Sequence, residues 1–313
     1  MWGGFASGKE GYDKGQAVNF RGANLTGAKL SGTTASKADF SDAILAGANM
    51  VGADLSGAKM EGADLSGVDV AGARLEGANL SAAILTGVAM TMLKDAGADV
   101  TTAITDENVG TSIAALEEPL PTLIENHRSW VESAGQNGKQ LDLSNVDMRM
   151  IGSLKMEKLT AIRAVNTKFF GMNLYKIQVQ SAILDKSDFR NCDLEESDMR
   201  GSSFAGANFS HAKMHNTDCS ALMFGGGSGT KRFNPCNFKG AILRYTDLTA
   251  AKLKGANFQG ADLSYADLTG ADLREADFTG ANLSRTKLDD AIIADTIFDK
   301  TEKPVFQIKD NQD

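Results

Sequence analysis

Apolar residues recur along this chain every five positions. From Val18 to Met92 the sequence reads VNFRG, ANLTG, AKLSG, TTASK, ADFSD, AILAG and onward. The third residue of each five is apolar and large at 14 of the 15 places between Phe20 and Met90, Ala35 being the exception. Two residues earlier stands Ala, in 11 of the 15. A second run opens at Leu143 and Met148, slips by one residue, and continues with centres from Leu154 to Phe224. A third has 13 apolar centres from Phe238 to Phe298. A period of five fits neither an amphipathic helix nor a flat strand. It fits a coil whose wall turns a corner every five residues. The central Leu or Phe then fills the core, the small Ala points inward at the corner, and the other three positions face water.

Phenylalanine spacing gives the number of sides. Phe238, Phe258, Phe278 and Phe298 stand at every fourth centre, as do Phe169, Phe189 and Phe209, Phe204 and Phe224, and Phe20 and Phe40. Rings stacked in successive coils recur once per turn, so one turn is four pentapeptides. Those seven phenylalanines of the last two runs (Phe169, Phe189, Phe209, Phe238, Phe258, Phe278 and Phe298) are the predicted core.

The units ADLSG (53–57 and 63–67), ADLTG (266–270) and ANFQG (256–260) resemble the pentapeptide-repeat family. The resemblance implies an all-β fold, a right-handed quadrilateral parallel β-helix, here in two stacks with a short α-helical connector. The expected organisation is an N-terminal cap segment 1–17, a first β-helix 18–92, a connector 93–140, a second β-helix 141–300 interrupted by a loop 225–235, and a tail 301–313. Between Ser153 and Ser181, Glu157, Ile162, Met172 and Ile177 stand where Ala is expected. Those coils are expected to be irregular, or the register between Met148 and Leu184 to differ.

The four prolines, Pro119, Pro121, Pro235 and Pro304, all fall outside the repeats, because proline cannot donate to a ladder between coils. The connector shows no pentapeptide signal. Within it, Thr122–Ser133 reads as an amphipathic helix with Pro121 at its first turn and Gly135 past its end. Leu120, Leu123, Ile124, His127, Trp130 and Val131 share one face. A shorter helix is expected around Asp106–Leu116. Open solenoid ends need covering, so Leu123, His127 and Trp130 are assigned to a cap helix. H-x-x-W-x-x-S-x-G-x-x-G segments before a repeat run recur in the family, and this resemblance implies a structural role. Trp2, Phe5 and Tyr12 are expected to cover the first coil, and Val305, Phe306 and Ile308 the last coil or a dimer contact.

The loop 225–235, GGGSGTKRFNP, is not a P-loop, since Thr230 separates Gly229 from Lys231 and no helix follows. It reads as a surface loop, and Lys231, Arg232 and Phe233 make it the candidate partner contact. No nucleophile, base and orienter fall together. His211 and His215 take outward positions; Cys219 takes an inward centre and Cys192 an inward corner. The chain is read as a non-enzyme with no cofactor and no metal. Three cysteines give no disulfide framework or zinc site. There is no run of 18 apolar residues and no secretory n- and h-region in Met1–Gly15, so the cytoplasm is the expected location.

Net charge is −8. Two uses of such a surface are open, the second of them implied by the resemblance. One is a scaffold that offers a rigid face to a protein partner. The other is a mimic of double-helical DNA that occupies a type II topoisomerase such as gyrase. The coils carry little of the charge: 18–92 holds 5 basic and 7 acidic residues, while 141–224 and 225–300 each hold 10 and 10. The connector holds 3 and 8, with Glu117, Glu118 and Glu125 among them. A phosphate mimic needs its excess on the coils, so the scaffold is the leading expectation. With no basic run, direct nucleic-acid binding is not expected.

Overall fold

The structure is a computed structural model and describes residues 17–224 and 232–299. The assigned termini (Trp2, Phe5, Tyr12, Val305, Phe306 and Ile308) and Lys231 lie outside the described residues. The chain divides into two compact units, 1–108 and 109–313.

In each unit the residue before each apolar centre pairs, in parallel, with its counterpart four repeats on. Asn19 pairs with Asp39, Asn24 with Ile44, Lys29 with Asn49 and Thr34 with Asp54. Four such pairs make one turn, so the coil has four sides.

The consensus follows from where the backbone N–H groups go. In the repeat Ala38–Asp42, Ala38 N–H donates to Ala35 O (3.1 Å) and closes the corner turn. Asp39 N–H donates to the previous coil at Val18 O (2.9 Å). Phe40 and Asp42 N–H donate to the next coil at Lys59 O (2.7 Å) and Glu61 O (2.9 Å). The fifth donor, Ser41 N–H, has no ladder partner and is taken by Asp39 Oδ1 at 2.9 Å. An Asp or Asn before the centre therefore satisfies its own repeat. The last position has positive φ, as at Gly22 (68°), which a type II corner requires and which Gly adopts without strain. The corner alanines and central Leu or Phe are buried: Ala43, Leu45, Ala261 and Leu263 are each at most 1% exposed. Burying each such Leu contributes about 1.5–3 kcal/mol.

In the first unit the bridges run past Met92 to Asp99 and Ile104. Helix α1, Met90–Asp95, occupies part of the last coil without changing the four-repeat step, and Leu93 is buried in the core. Ala98-Asp99-Val100 and Ala103-Ile104-Thr105 then resume the pattern. The lack of a repeat signal after Met92 is thus corrected, and Met90 lies on a helix rather than on a side.

The second unit begins with β1, Thr111–Ser112, paired in parallel with β2, Val146–Asp147. The expected helix over Asp106–Leu116 is replaced by a turn, β1 and a 3-10 turn at Ile113–Ala115. Too few apolar residues repeat there at helical spacing to hold a helix. Helix α2, Leu120–Glu132, follows with Pro121 in its first turn. Leu120 and His127 are buried, and Leu123 and Ile124 pack on the core of the first coils. Val131, assigned to the same face, is 36% exposed.

Asp142 and Asp147 pair with Arg163 and Lys168, one position beyond the regular step; from Ser153, which pairs with Asn173, the step is regular. A 3-10 turn at Arg149–Ile151 absorbs the extra residue. The coils from Ser153 to Ser181 are regular, contrary to the expectation. Ile162, Met172 and Ile177 at the corners are buried like alanines elsewhere, while Glu157 is half-buried. Ile162 and Ile177 line a small, wholly apolar void of about 20 Å³.

Across the next break the step lengthens. Ser203 pairs with Asn237, 34 positions on, where Asp262 and Asn282 are 20 apart. Asn208, Lys213 and Asp218 are displaced equally, pairing with Ile242, Asp247 and Lys252. Fourteen residues, 222–235, are therefore extra. They include an antiparallel hairpin of β3, Leu222–Phe224, and β4, Arg232–Asn234. Phe224, expected as a centre, thus belongs to β3. The place over Phe204 is taken by Phe238, with centroids 5.3 Å apart and planes at 11°. The aromatic ladder continues through Phe258, Phe278 and the half-buried Phe298. Phe169, Phe189 and Phe209 form a second ladder on the adjacent side, edge-on to the first through Phe204.

Candidate functional site

The described strands of the hairpin begin at Leu222, before the loop assigned to 225–235, and β4 lies within that assignment. Register explains which face meets the rod. Leu222 lies opposite Asn234, and both contact Gly201. A Cβ at Gly201 would sit 2.9 Å from the Leu222 side chain. Asn234 Nδ2 donates to Gly201 O at 2.6 Å. The next pair, Met223 opposite Phe233, has the other orientation and is 58% and 64% exposed. The hairpin thus seats one face on the coil and presents a thioether and an aromatic ring to solvent. Of the three residues assigned to a partner contact, Phe233 is exposed and Arg232 lies on β4, its backbone opposite Phe224. Met223 was missed because in sequence it looked like part of a repeat.

The acidic residues of the connector do not gather into one site. Glu125 pairs with Arg128 at 2.5 Å. Glu117 and Glu118 are exposed and, with Leu116, Leu123, Lys139 and Asp142, line a groove of about 200 Å³.

The H-x-x-W-x-x-S-x-G-x-x-G segment is accounted for residue by residue. His127 Nδ1 accepts from Leu141 N–H (3.1 Å), so the proton lies on Nε2, which donates to Thr160 O (3.0 Å). Trp130 stacks on His127, centroids 5.8 Å apart. Ser133 Oγ accepts from Asn137 N–H at 2.8 Å. Gly135 and Gly138 have φ of 88° and 73°, and Gly138 lies against the backbone of α2.

Burial pushes the His127 imidazole below its usual 6.5, against a smaller upward push from the Thr160 carbonyl. The unfolded chain therefore binds the proton more readily than the folded one. His127 contributes its full stability above pH 6.5 and loses it as pH falls from there through the lower folded value. The depressed carboxylates, such as Asp39 and Asp272, titrate below 3.8 and do not act in this window. We expect the urea midpoint of the wild type to drop between neutral and mildly acidic pH, and a His127→Asn variant to be less stable but flat over the same range. Equal pH slopes for the two would remove His127 as the cause.

The remaining titratable groups serve the wall. Asp272 is held below the usual carboxylate range by Arg274, whose guanidinium lies 2.6 Å away. Burial pushes Asp262 up, but Arg244 and Ser264 push it down further. His211 stacks on Tyr245, which stacks on Tyr265, with Arg285 over the last ring. This outward ladder was legible only as Tyr245 and Tyr265, one turn apart; the hairpin hides His211. His215 Nδ1 lies 2.8 Å from Thr249 Oγ1. Among the described residues no three His, Cys, Asp or Glu side chains are grouped to hold a metal, and no helix is long and apolar enough to cross a membrane.

Fold and site together define a solenoid protein, a four-sided parallel β-helix that displays a hairpin on one side. The family model described as pentapeptide repeats, in eight copies, matches residues 23–62, 58–91, 182–218, 232–268 and 256–295. These matches cover more than half of the chain, which belongs to the pentapeptide-repeat family and so to the right-handed β-helices.

Among solved structures, it is similar to HetL, a pentapeptide repeat protein involved in heterocyst differentiation regulation from the cyanobacterium Nostoc sp. strain PCC 7120. That identity is 21% over 88% of this chain and 87% of the other, with a TM-score of 0.23. Rfr23 from the cyanobacterium Cyanothece 51142 is 23% identical over 49% of this chain and 95% of its own, with a TM-score of 0.25. QnrB1, a plasmid-mediated fluoroquinolone resistance protein, is 16% identical over 52% and 87%, with a TM-score of 0.26. Family membership rests on the repeats and not on these likenesses. No curated protein matches the sequence.

Proposed function

We propose that this is a non-enzymatic scaffold that presents a rigid β-helical surface to a protein partner, with the Met223–Phe233 face of the hairpin as its docking contact. The observation that carries the reading is the division of labour in the hairpin: Leu222 and Asn234 fix it to Gly201, while Met223 and Phe233 stand opposed and exposed. Aromatic side chains and Met are favoured anchors at interfaces because they bury much area for little lost freedom. In this reading α2 caps the first coil of its unit, the two units are two β-helical stacks, and the protein works in the cytoplasm.

Mimicry of DNA is the weaker reading. Many of the carboxylates on the wall pair with neighbouring cations, as in Asp198–Arg200, Asp262–Arg244, Asp267–Lys287 and Lys254–Glu275. A phosphate mimic needs them unpaired.

The test uses the full chain with Met223 and Phe233 both changed to Ala, and a second form lacking 222–235, which restores the regular step. Both should melt like the wild type. A partner purified on the wild type should bind them at least tenfold more weakly, which corresponds to about 1.4 kcal/mol. Undiminished binding would move the contact off the hairpin. Inhibition of DNA supercoiling by purified gyrase at submicromolar protein would replace the scaffold with the mimic.

A further inference from the structure

The hairpin root carries a feature that its docking role does not use. Cys219 and Cys236 flank the inserted segment and are both fully buried. Cys219 is the centre of one side and Cys236 the corner of the next. In a repeat without an insertion these positions are the first and fourth residues of one β-turn, as where Ala241 N–H donates to Phe238 O at 2.9 Å. Such residues have Cα atoms less than about 7 Å apart, within the span a disulfide accepts. The side chains converge accordingly. Cys219 Sγ lies 3.9 Å from Met199 Sδ, and Cys236 Sγ lies 3.6 Å from Met199 O. Both thiols thus lie against the same residue, Met199. The third cysteine, Cys192, is on another side, with its Sγ donating to Phe169 O at 3.0 Å.

We propose that Cys219 and Cys236 are a redox pair that a small-molecule disulfide oxidises to an intramolecular disulfide across the root of the hairpin. One thiol, as thiolate, attacks a sulfur of the oxidant, breaks its S–S bond and forms a mixed disulfide. The second thiolate then displaces the remaining half. Two protons leave the cysteines, two electrons pass to the oxidant, and the oxidant ends as two thiols. A dithiol reductant runs the exchange backwards. Burial first, and then the neighbouring Cys219 thiol, hold the Cys236 thiol well above the ordinary thiol value, so the attack waits on opening of the hairpin root. Once formed, the bond ties together the ends of β3 and β4 where they leave the coil. This chemistry is independent of the docking role.

The test treats the full-length protein with oxidised glutathione at mildly alkaline pH, then denatures it, alkylates free thiols and maps the peptides. We expect a mass lower by two hydrogens, a linked peptide containing Cys219 and Cys236, one alkylated thiol at Cys192, and full reversal by dithiothreitol. Cys219→Ser should give no intramolecular bond. Proteolysis within 222–235 should slow at least threefold in the oxidised form. Three alkylated thiols after prolonged oxidation would overturn the proposal, as would stable glutathione adducts or a bond involving Cys192. A 219–236 bond that forms on refolding with a glutathione couple, but never in the native protein, would overturn it as well.

Discussion

Replacing Phe258 with Asp should unfold the second unit at temperatures where the wild type is intact. Phe258 is fully buried, between Phe238 at 5.0 Å and Phe278 at 4.7 Å. The substitution removes a ring worth about 3–5 kcal/mol and puts a carboxyl in its place. No hydrogen-bond donor on the inward side is spare, because the backbone N–H groups around it already serve the ladder. A charge there has no partner, so the carboxyl must take up a proton or bring in water, and either adds to the loss. The total is a large part of the stability of an ordinary domain. Thermal unfolding followed by circular dichroism decides it, with Phe258→Leu, which keeps the apolar contact, as the milder control. A wild-type melting curve for the Asp variant would show that Phe258 does not point inward.

Gly138→Ala should detach helix α2 while leaving the coils intact. Its φ is 73°, where an added Cβ costs about 1–2 kcal/mol. That Cβ would also stand 2.1 Å from Asn126 O and 2.8 Å from Trp130 N. Both are helix backbone atoms and cannot rotate away, so the helix must shift, and His127 loses its hold on Thr160 and Leu141. We expect a loss of roughly 2–5 kcal/mol. Hydrogen exchange in α2 should be faster by two or more orders of magnitude, with the ladder amides beyond Ser181 unchanged. Gly135→Ala, whose Cβ would meet Trp130 Nε1 at 3.4 Å, should cost less. Unchanged exchange in α2 for Gly138→Ala would mean that the helix is held by other contacts.

The regular part of this fold was legible because each position in a repeat has one physical duty, and five residues suffice to show it. Phe258 could be placed in the core from its spacing alone. The register slip after Met148 was equally visible, since an extra residue shifts every later centre. What misled was apparent continuation. Phe224 falls four pentapeptides after Phe204 and looks like a centre, but the chain has already left the coil at Leu222. Spacing cannot distinguish a strand of an excursion from a side of the rod. The reverse error hid Ala98–Thr105, whose Asp99 and Ile104 resume the pattern behind α1. Ile162 and Ile177 looked too large for corners, yet both are buried, line a small apolar void, and leave the step of the coil regular. For the candidate site, Phe233 was readable as an aromatic outside the repeats. Met223 and the Cys219–Cys236 pair were not, because their meaning depends on which strand lies opposite and where the chain rejoins the coil.

The four pairs that span the hairpin, Ser203–Asn237 the first of them, close longer loops than any later pair in the ladder. Loop-closure entropy grows only with the logarithm of length, so the difference is about 0.5 kcal/mol. It falls on the first of the four alone, since each following pair extends a ladder already begun. Lengthening the chain at a corner is therefore nearly free, whereas a single residue added along a side would displace every centre beyond it. Corners are the places where such a rod can acquire new sequence, and the second unit is in effect a vector already carrying one insert.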